Sequence, residues 1–522
     1  MSQPLQSINL VAPGFKGVNT EDSPIGQDFS FADVADNAVI DKRGRIAARK
    51  GVNLFTTDRY WLGTDYVHNV HHFYDDAGNE EIFVTGNNAI FKATTTTTPN
   101  DTLVNITPAG YTVTGNNWKI VNFNEKAYFF QRGLEPLVYD DATGLRTFSD
   151  ATGSPTNSAL YCHEALAAYG RLFVVDNGTD TQTIYWSDLL VGTSFSGGSS
   201  GSIEVSKAWP DGYDEVRALV AHNDKLIILG KHSILVYGNA FSPSLMALED
   251  TIAGVGCICR NSVQSIGTDV LFMSQDGLRS FGRTIQEKSL PLSDLSLNIK
   301  TELIQVLDSR TSPTASVYSP ENAFYLITFP DQEITYCFDL KGRLENNAYR
   351  VTRWTGAPFK AYERKNTDGT VLVGTPDGLG EYSGYTDEFN DSGTITPDSY
   401  TFRYYSPALT FGDPSKLKFL KKLRPTLVGA NSATVFVKWA YDFGTTYTTS
   451  EFTVGNQTPF YYNTTGSEYT VAEFTGGDTV SRPPVNTTGS GTVITIGLES
   501  EINGFALSLQ EINVLALMGK TL

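Results

Sequence analysis

The chain has 522 residues, 40% hydrophobic and 12% aromatic, and its 39 Lys and Arg against 57 Asp and Glu give a net charge of −18. That balance excludes tight wrapping of duplex nucleic acid, which needs cations to displace counterions, yet it permits DNA to slide along a like-charged wall. No window approaches 18 consecutive apolar residues, so no membrane-spanning helix is expected.

Residues 1–50 read as an extended leader. The opening MSQPLQSINLVAPGFKG lacks a basic region followed by a long apolar run, so it is not expected to be a signal peptide. Pro4, Pro13-Gly14 and Pro24 exclude a long helix. Asn37 to Asp41 and Arg45 to Ala47 read as two short strands around Lys42-Arg43-Gly44. Because propellers often close by pairing a terminal strand with the last blade, the leader is a candidate for that closure or for a contact with a neighbour.

Residues 51–390 carry a weak unit repeated about seven times. Each copy is an apolar β-rich run, a Gly, Asn or Asp turn, and a second run ending on an aromatic. Clear copies are Ile82 to Val84 closing on Phe91, Leu226 to Leu229 closing on Tyr237, and Val270 to Met273 closing on Phe281. The closing aromatics Phe91, Tyr139, Tyr185, Tyr237, Phe281, Phe338 and Tyr382 lie 44 to 57 positions apart, the spacing of β-propeller blades. Asp276-Gly277 and Asp377-Gly378 are matching hairpin signals. One connection, Leu290 to Ile304, reads as a helix with Ser293 as a candidate cap, placed to project from the disc toward a neighbour. Thr94 to Thr98 and Ser194 to Ser202 read as loops.

Residues 391–522 change character. Runs such as Phe402 to Tyr405, Ala433 to Trp439 and Val493 to Ile496 alternate with period two, and Phe505 to Leu517 is strand-like. These predict an antiparallel β-sandwich, with residues 463–490 as a long exposed loop. The fold class expected is therefore all-β: a propeller of about seven blades with a C-terminal antiparallel β-sandwich.

Signs of chemistry are sparse. There is no phosphate-cradling G-x-x-x-x-G-K-[ST], no HExxH and no G-x-S-x-G. Neither cofactor nor metal is expected. Cys162, Cys257, Cys259 and Cys337 are too few and too irregular for a disulfide framework, and they read as reduced, buried thiols. His68, His71 and His72 cluster, but their flanks predict a strand, which favours partly buried histidines over metal ligands. Asp75 to Glu81 resembles a calcium loop in composition only and reads as a polar hairpin turn. Two basic clusters stand out: Lys42, Arg43, Arg45, Arg49 and Lys50, and Lys416, Lys418, Lys421, Lys422 and Arg424. They are candidate subunit-interface strips, with a solvated surface as the alternative and direct DNA contact a weaker third.

The leader resembles that of a known family, the tail nozzle proteins (tail tubular protein B, or tail hub) of short-tailed bacteriophages. The residues that carry the resemblance are Gly14-Phe15-Lys16-Gly17-Val18-Asn19-Thr20, then Asp36-Asn37-Ala38-Val39, then Gly44-Arg45-Ile46 and Arg49-Lys50-Gly51. The resemblance implies a structural virion protein rather than an enzyme, assembled in the host cytoplasm and located in the virion tail. It implies a homohexameric ring below an adaptor protein, with tail fibres or spikes as further partners. Viral DNA would pass through for retention and ejection without sequence-specific binding. The rival reading is a propeller enzyme or lectin acting on surface polysaccharide.

Overall fold

The structure is a computed structural model, and it describes residues 5–12, 14–54, 65–93, 103–267, 269–286, 294–357, 359–391, 394–429, 433–454 and 480–521, with Asn390, Asp391, Lys520 and Thr521 described as backbone only. Thr94 to Thr98, Leu290 to Ser293 and most of the 463–490 loop lie outside the described residues.

Seven antiparallel sheets follow one another between Asn69 and Tyr382, and their first strands ring a common axis. Blade I holds Asn69–Tyr74, Glu80–Gly86, Ala89–Ala93 and Leu103–Asn105. Blade II spans Lys119 to Thr147, blade III Glu164 to Glu204 and blade IV Val216 to Ala253, each with four strands in chain order. Blade V has three among the described residues, Gln264–Ser265, Val270–Ser274 and Gly277–Ser280, and the helix Phe281–Gln286 follows the third. Blade VI runs from Ala315–Ser319 to Tyr349–Thr355. Blade VII has Ala361–Arg364, Val371–Thr375 and Gly378–Tyr382, and takes its fourth strand, Val52–Leu54, from the start of the chain. The all-β propeller expected from the repeat is present, as six four-stranded blades and, among the described residues, one three-stranded sheet.

The repeat read from the sequence is the hairpin of second and third strands in each blade. Its apolar runs are the second strands, buried on both faces between neighbouring sheets. The closing aromatics sit in the third strands, except Phe281, which opens the helix after blade V. The two Asp-Gly turns match in detail: Ser274 and Thr375 hydroxyls bond the carbonyls of Gly277 and Gly378, whose φ values are +119° and +144°.

The C-terminal part is a β-sandwich. One layer contains Tyr400–Tyr405, Ile494–Ile502, Thr434–Tyr441 and Thr448–Thr453. The other is built on Lys416–Gly429 paired with Leu507–Thr521, with leader strands Leu5–Leu10, Ile46–Ala48 and Ala38–Ile40 continuing it. Phe402, Val437 and Ile496 of the first layer bury against Leu423, Leu509 and Val514 of the second. The first layer is continuous with blade VI, because the leader strand Val34–Asp36 pairs with both Tyr349–Thr355 and Tyr400–Tyr405. The hairpin Asp387–Asp391 and Thr394–Asp398 extends blade VII beyond Val52–Leu54.

The helix expected over 290–304 is shifted and does not project. A 3-10 turn, Leu297–Ile299, leads into the helix Lys300–Ser309, whose Leu303 and Leu307 are fully buried in the main core with Leu295 and Ile299. Glu302 bonds Tyr336 and Arg353 across the packed face. Four apolar side chains on one stripe were better buried than displayed.

Candidate functional site

The first strand of each blade is the one that faces the axis, and four of the seven begin with a polar residue, Asn69, Lys119, Glu164 and Gln264. At this end of the axis a cavity of about 440 Å³ opens, walled by blades I, II, V, VI and VII. A smaller one of about 140 Å³ adjoins it past Arg260 and is lined by His163, Arg217 and Arg310.

Arg260 reaches from the segment before blade V to blades II and III. Its NH1 bonds the His163 carbonyl at 2.5 Å, its NH2 bonds Asn117 Oδ1 at 2.5 Å, and its Nε bonds Asn261 Oδ1 at 2.9 Å. The nearest carboxylate, Glu164, stands 3.8 Å from Nε, too far for a hydrogen bond. Burial outweighs that carboxylate and pulls the Arg260 pKa down to about 10. Burial and the same guanidinium push the His163 pKa down to about 2. Lys119 is 3.6 Å from Glu164, and Glu164 itself is pushed upward by burial.

Glu363 stands on the opposite wall. It is enclosed by the disc yet touches the cavity, with 29% of its side chain exposed. Burial pushes its pKa up to about 8, and Lys119 opposes this only in part. His71 Nε2 bonds Asn122 at 2.8 Å while Nδ1 lies 3.7 Å from Glu363, and burial pulls its pKa down to about 4. Burial thus biases both groups toward their neutral forms at pH 7. The other two histidines are spent structurally: His68 bonds Asp65 at 2.9 Å and His72 is fully buried beside Glu80. Among the described residues no group of three or more His, Cys, Asp or Glu could hold a metal, and all four cysteines are buried and free.

The two basic clusters do not form two uniform strips. Lys42 and Arg43 are exposed at a turn, and Arg45 pairs with Asp41 at 2.6 Å. Arg49 is fully buried. It makes a two-point ion pair with Asp387 (2.9 and 2.5 Å), donates to Asn37 at 3.0 Å, and lies over the ring of Tyr400 at 4.0 Å. In the second cluster Lys418 has no exposed surface, and its ammonium is held by the carbonyls of Asp413 and Thr492. Lys418 is therefore removed from any surface strip, because its alternating strand turns it inward. Lys416 and Lys422 are half-buried, and Lys421 and Arg424 are exposed beside Phe419.

Around Arg49 the leader locks the propeller to the sandwich. Asn37, at φ +52°, accepts from Arg49 and from the Thr355 amide and donates to the Thr401 carbonyl. Trp354 Nε1 donates to the Ala38 carbonyl at 2.8 Å, and its ring stacks on Tyr382 at 5.4 Å. A β-carbon on Gly51 would overlap the Thr386 carbonyl, and one on Gly17 would come within 2.6 Å of the Val351 amide.

No family model and no curated protein matches the chain. Among solved structures it is similar to PorZ, a bacterial surface component of the type-IX secretion system of Porphyromonas gingivalis (11% identity, 70% of this chain and 44% of that chain, TM-score 0.38). It is also similar to the extracellular domain of the putative hybrid two component system BT4673 from B. thetaiotaomicron (11% identity, 66% and 40%, TM-score 0.39). A third is the Neurospora crassa Pan2 WD40 domain (7% identity, 64% and 93%, TM-score 0.36). The chain thus spans less than half the length of the first two.

Proposed function

We propose that this chain is a structural, non-catalytic component of a short-tailed phage virion, a tail nozzle whose copies form a ring for DNA retention and release. The observation that carries the reading is where the leader motif lies. Asn37, Arg49 and Gly51, three of the residues that resemble the nozzle family, build the lock between propeller and sandwich. We read a resemblance in those residues as one of architecture, since each makes a contact between propeller and sandwich.

Two further features are compatible with a ring. Arg260 crosses the axis of the propeller, so a duplex would run between subunits and not through one disc. The outer rim of blade IV exposes Phe241, Leu245 and Leu248, an apolar group of the kind that neighbouring subunits cover. A net charge of −18 would keep the channel wall from holding DNA.

The test is immunogold electron microscopy of phage particles with antibody against this chain, together with native mass spectrometry of the purified protein. Label at the tail and a ring mass that Leu245→Asp abolishes would support the reading. Absence of the chain from disrupted virions would end it.

A further inference from the structure

The axial cavity is more elaborate than a ring subunit requires. On a strongly acidic protein, its wall carries a cation with no carboxylate partner among the described residues: Lys360 Nζ bonds the Pro330 carbonyl at 3.2 Å and lies 5.6 Å over the Tyr66 ring. Lys119, also in the wall, is within ion-pair distance of Glu164 at 3.6 Å. Asp65 and Asp331 stand near the mouth but are engaged, the first by His68 and the Asn87 amide, the second by Thr311 and Ser312. Burial raises the Glu363 pKa to about 8, which weakens its charge opposite the lysines. Among the described residues, Asn116 Oδ1 is a buried acceptor with no hydrogen-bond partner.

We infer that this cavity is a binding site for a carboxylated sugar unit, of uronate or sialate type, held by Lys360 and Lys119 through its carboxylate and by wall amides through its hydroxyls. The size fits, since ligand pockets are about 300–1,000 Å³ and this one is about 440 Å³. The choice of ligand follows from what the cations can do. A free arginine fork would grip a carboxylate or a phosphate at two points. Here the Arg260 fork is spent on Asn117, Asn261 and the His163 carbonyl. The remaining cations are lysines, point charges suited to a single carboxylate. Hydroxyls, which both donate and accept, suit the amides of the wall, such as that of Asn117, whose Oδ1 is already taken by Arg260.

This inference goes beyond the ring reading and stands without it. The test is isothermal titration of the intact chain with glucuronate, N-acetylneuraminate, glucose and tri-glutamate. One of the acidic sugars is expected to bind about tenfold or more tighter than glucose, the worth of one charge-assisted contact. Lys360→Met should remove that preference and Lys360→Arg should keep most of it, with unchanged melting curves showing that both fold. Failure of both acidic sugars to bind, equal binding of glucose, tighter binding of tri-glutamate, or indifference to Lys360→Met would each overturn the proposal. None of these outcomes bears on whether the chain sits in a virion.

Discussion

Two buried arginines mark two regions built on opposite terms. At the junction, Arg49 has a carboxylate at two-point distance, an amide and an aromatic face. Burial pulls its pKa down, but Asp387 outweighs it and the net shift is upward. On the axis, Arg260 is as deeply buried yet bonds chiefly carbonyls and amides, and its pKa falls to about 10. The junction is a satisfied lock. The axis is a set of polar groups held in place with charge left uncompensated, which is the condition in which a site can still take a ligand.

The sharpest way to break this comparison is Arg49→Met. Removing one partner of a buried pair strands Asp387 and should cost about 3–5 kcal/mol in urea unfolding. The double variant with Asp387→Leu should recover part of the loss, and no recovery would mean the pair is not the lock. Gly17→Ala comes next. At φ +94° and 2.6 Å from the Val351 amide it should cost about 1–3 kcal/mol by the same measurement.

On the axis, Glu363→Gln should act through pH. A carboxyl whose folded pKa lies near 8, above its unfolded value of 4.5, holds a proton that the unfolded chain releases. Its contribution to stability is complete below about pH 4.5 and is lost as pH rises toward 8. Melting temperatures of the native chain and the variant, taken from pH 5 to 9, should therefore diverge in the variant's favour with rising pH. Parallel curves would refute the shift. The smallest effect is expected at the surface: Lys421→Ala and Arg424→Ala should each change stability by no more than about 0.5 kcal/mol. If either alters the ring mass in native mass spectrometry, the basic strip has an interface role.

The same contrast explains what the sequence revealed. Second strands are buried on both faces, so they are continuous apolar runs such as Leu226 to Leu229, and a turn with an aromatic follows each. First strands face a polar axis, so Lys119 to Phe123 has mixed character and gave no period to read. The irregularity of blade V was legible only as the long Phe281 to Phe338 gap, and Phe281 itself opens a helix instead of sitting in a third strand. Lys119, Glu164, Arg260 and Glu363 come together only when the ring closes. The one local hint was a polar residue at the start of the segment before an apolar run, as at Asn69, Lys119 and Gln264. Arg49 looked like part of a basic strip because its acid lies 338 positions away.

That separation also sets a timetable for biosynthesis. Val52–Leu54 has no ladder partner until Gly378–Tyr382 has been made, and Leu5–Leu10 waits for the final strand, with Asn9 and Asn513 504 positions apart. At about 5–20 residues per second, the ribosome leaves these edges unpaired for tens of seconds. Blades I to IV can form from local hairpins meanwhile, whereas closure of blade VII waits for Gly378–Tyr382 and assembly of the sandwich for Leu507–Thr521. A nascent chain stalled before residue 378 would carry strands with nothing to pair to, which makes quality control of this fold a matter of the residues that follow.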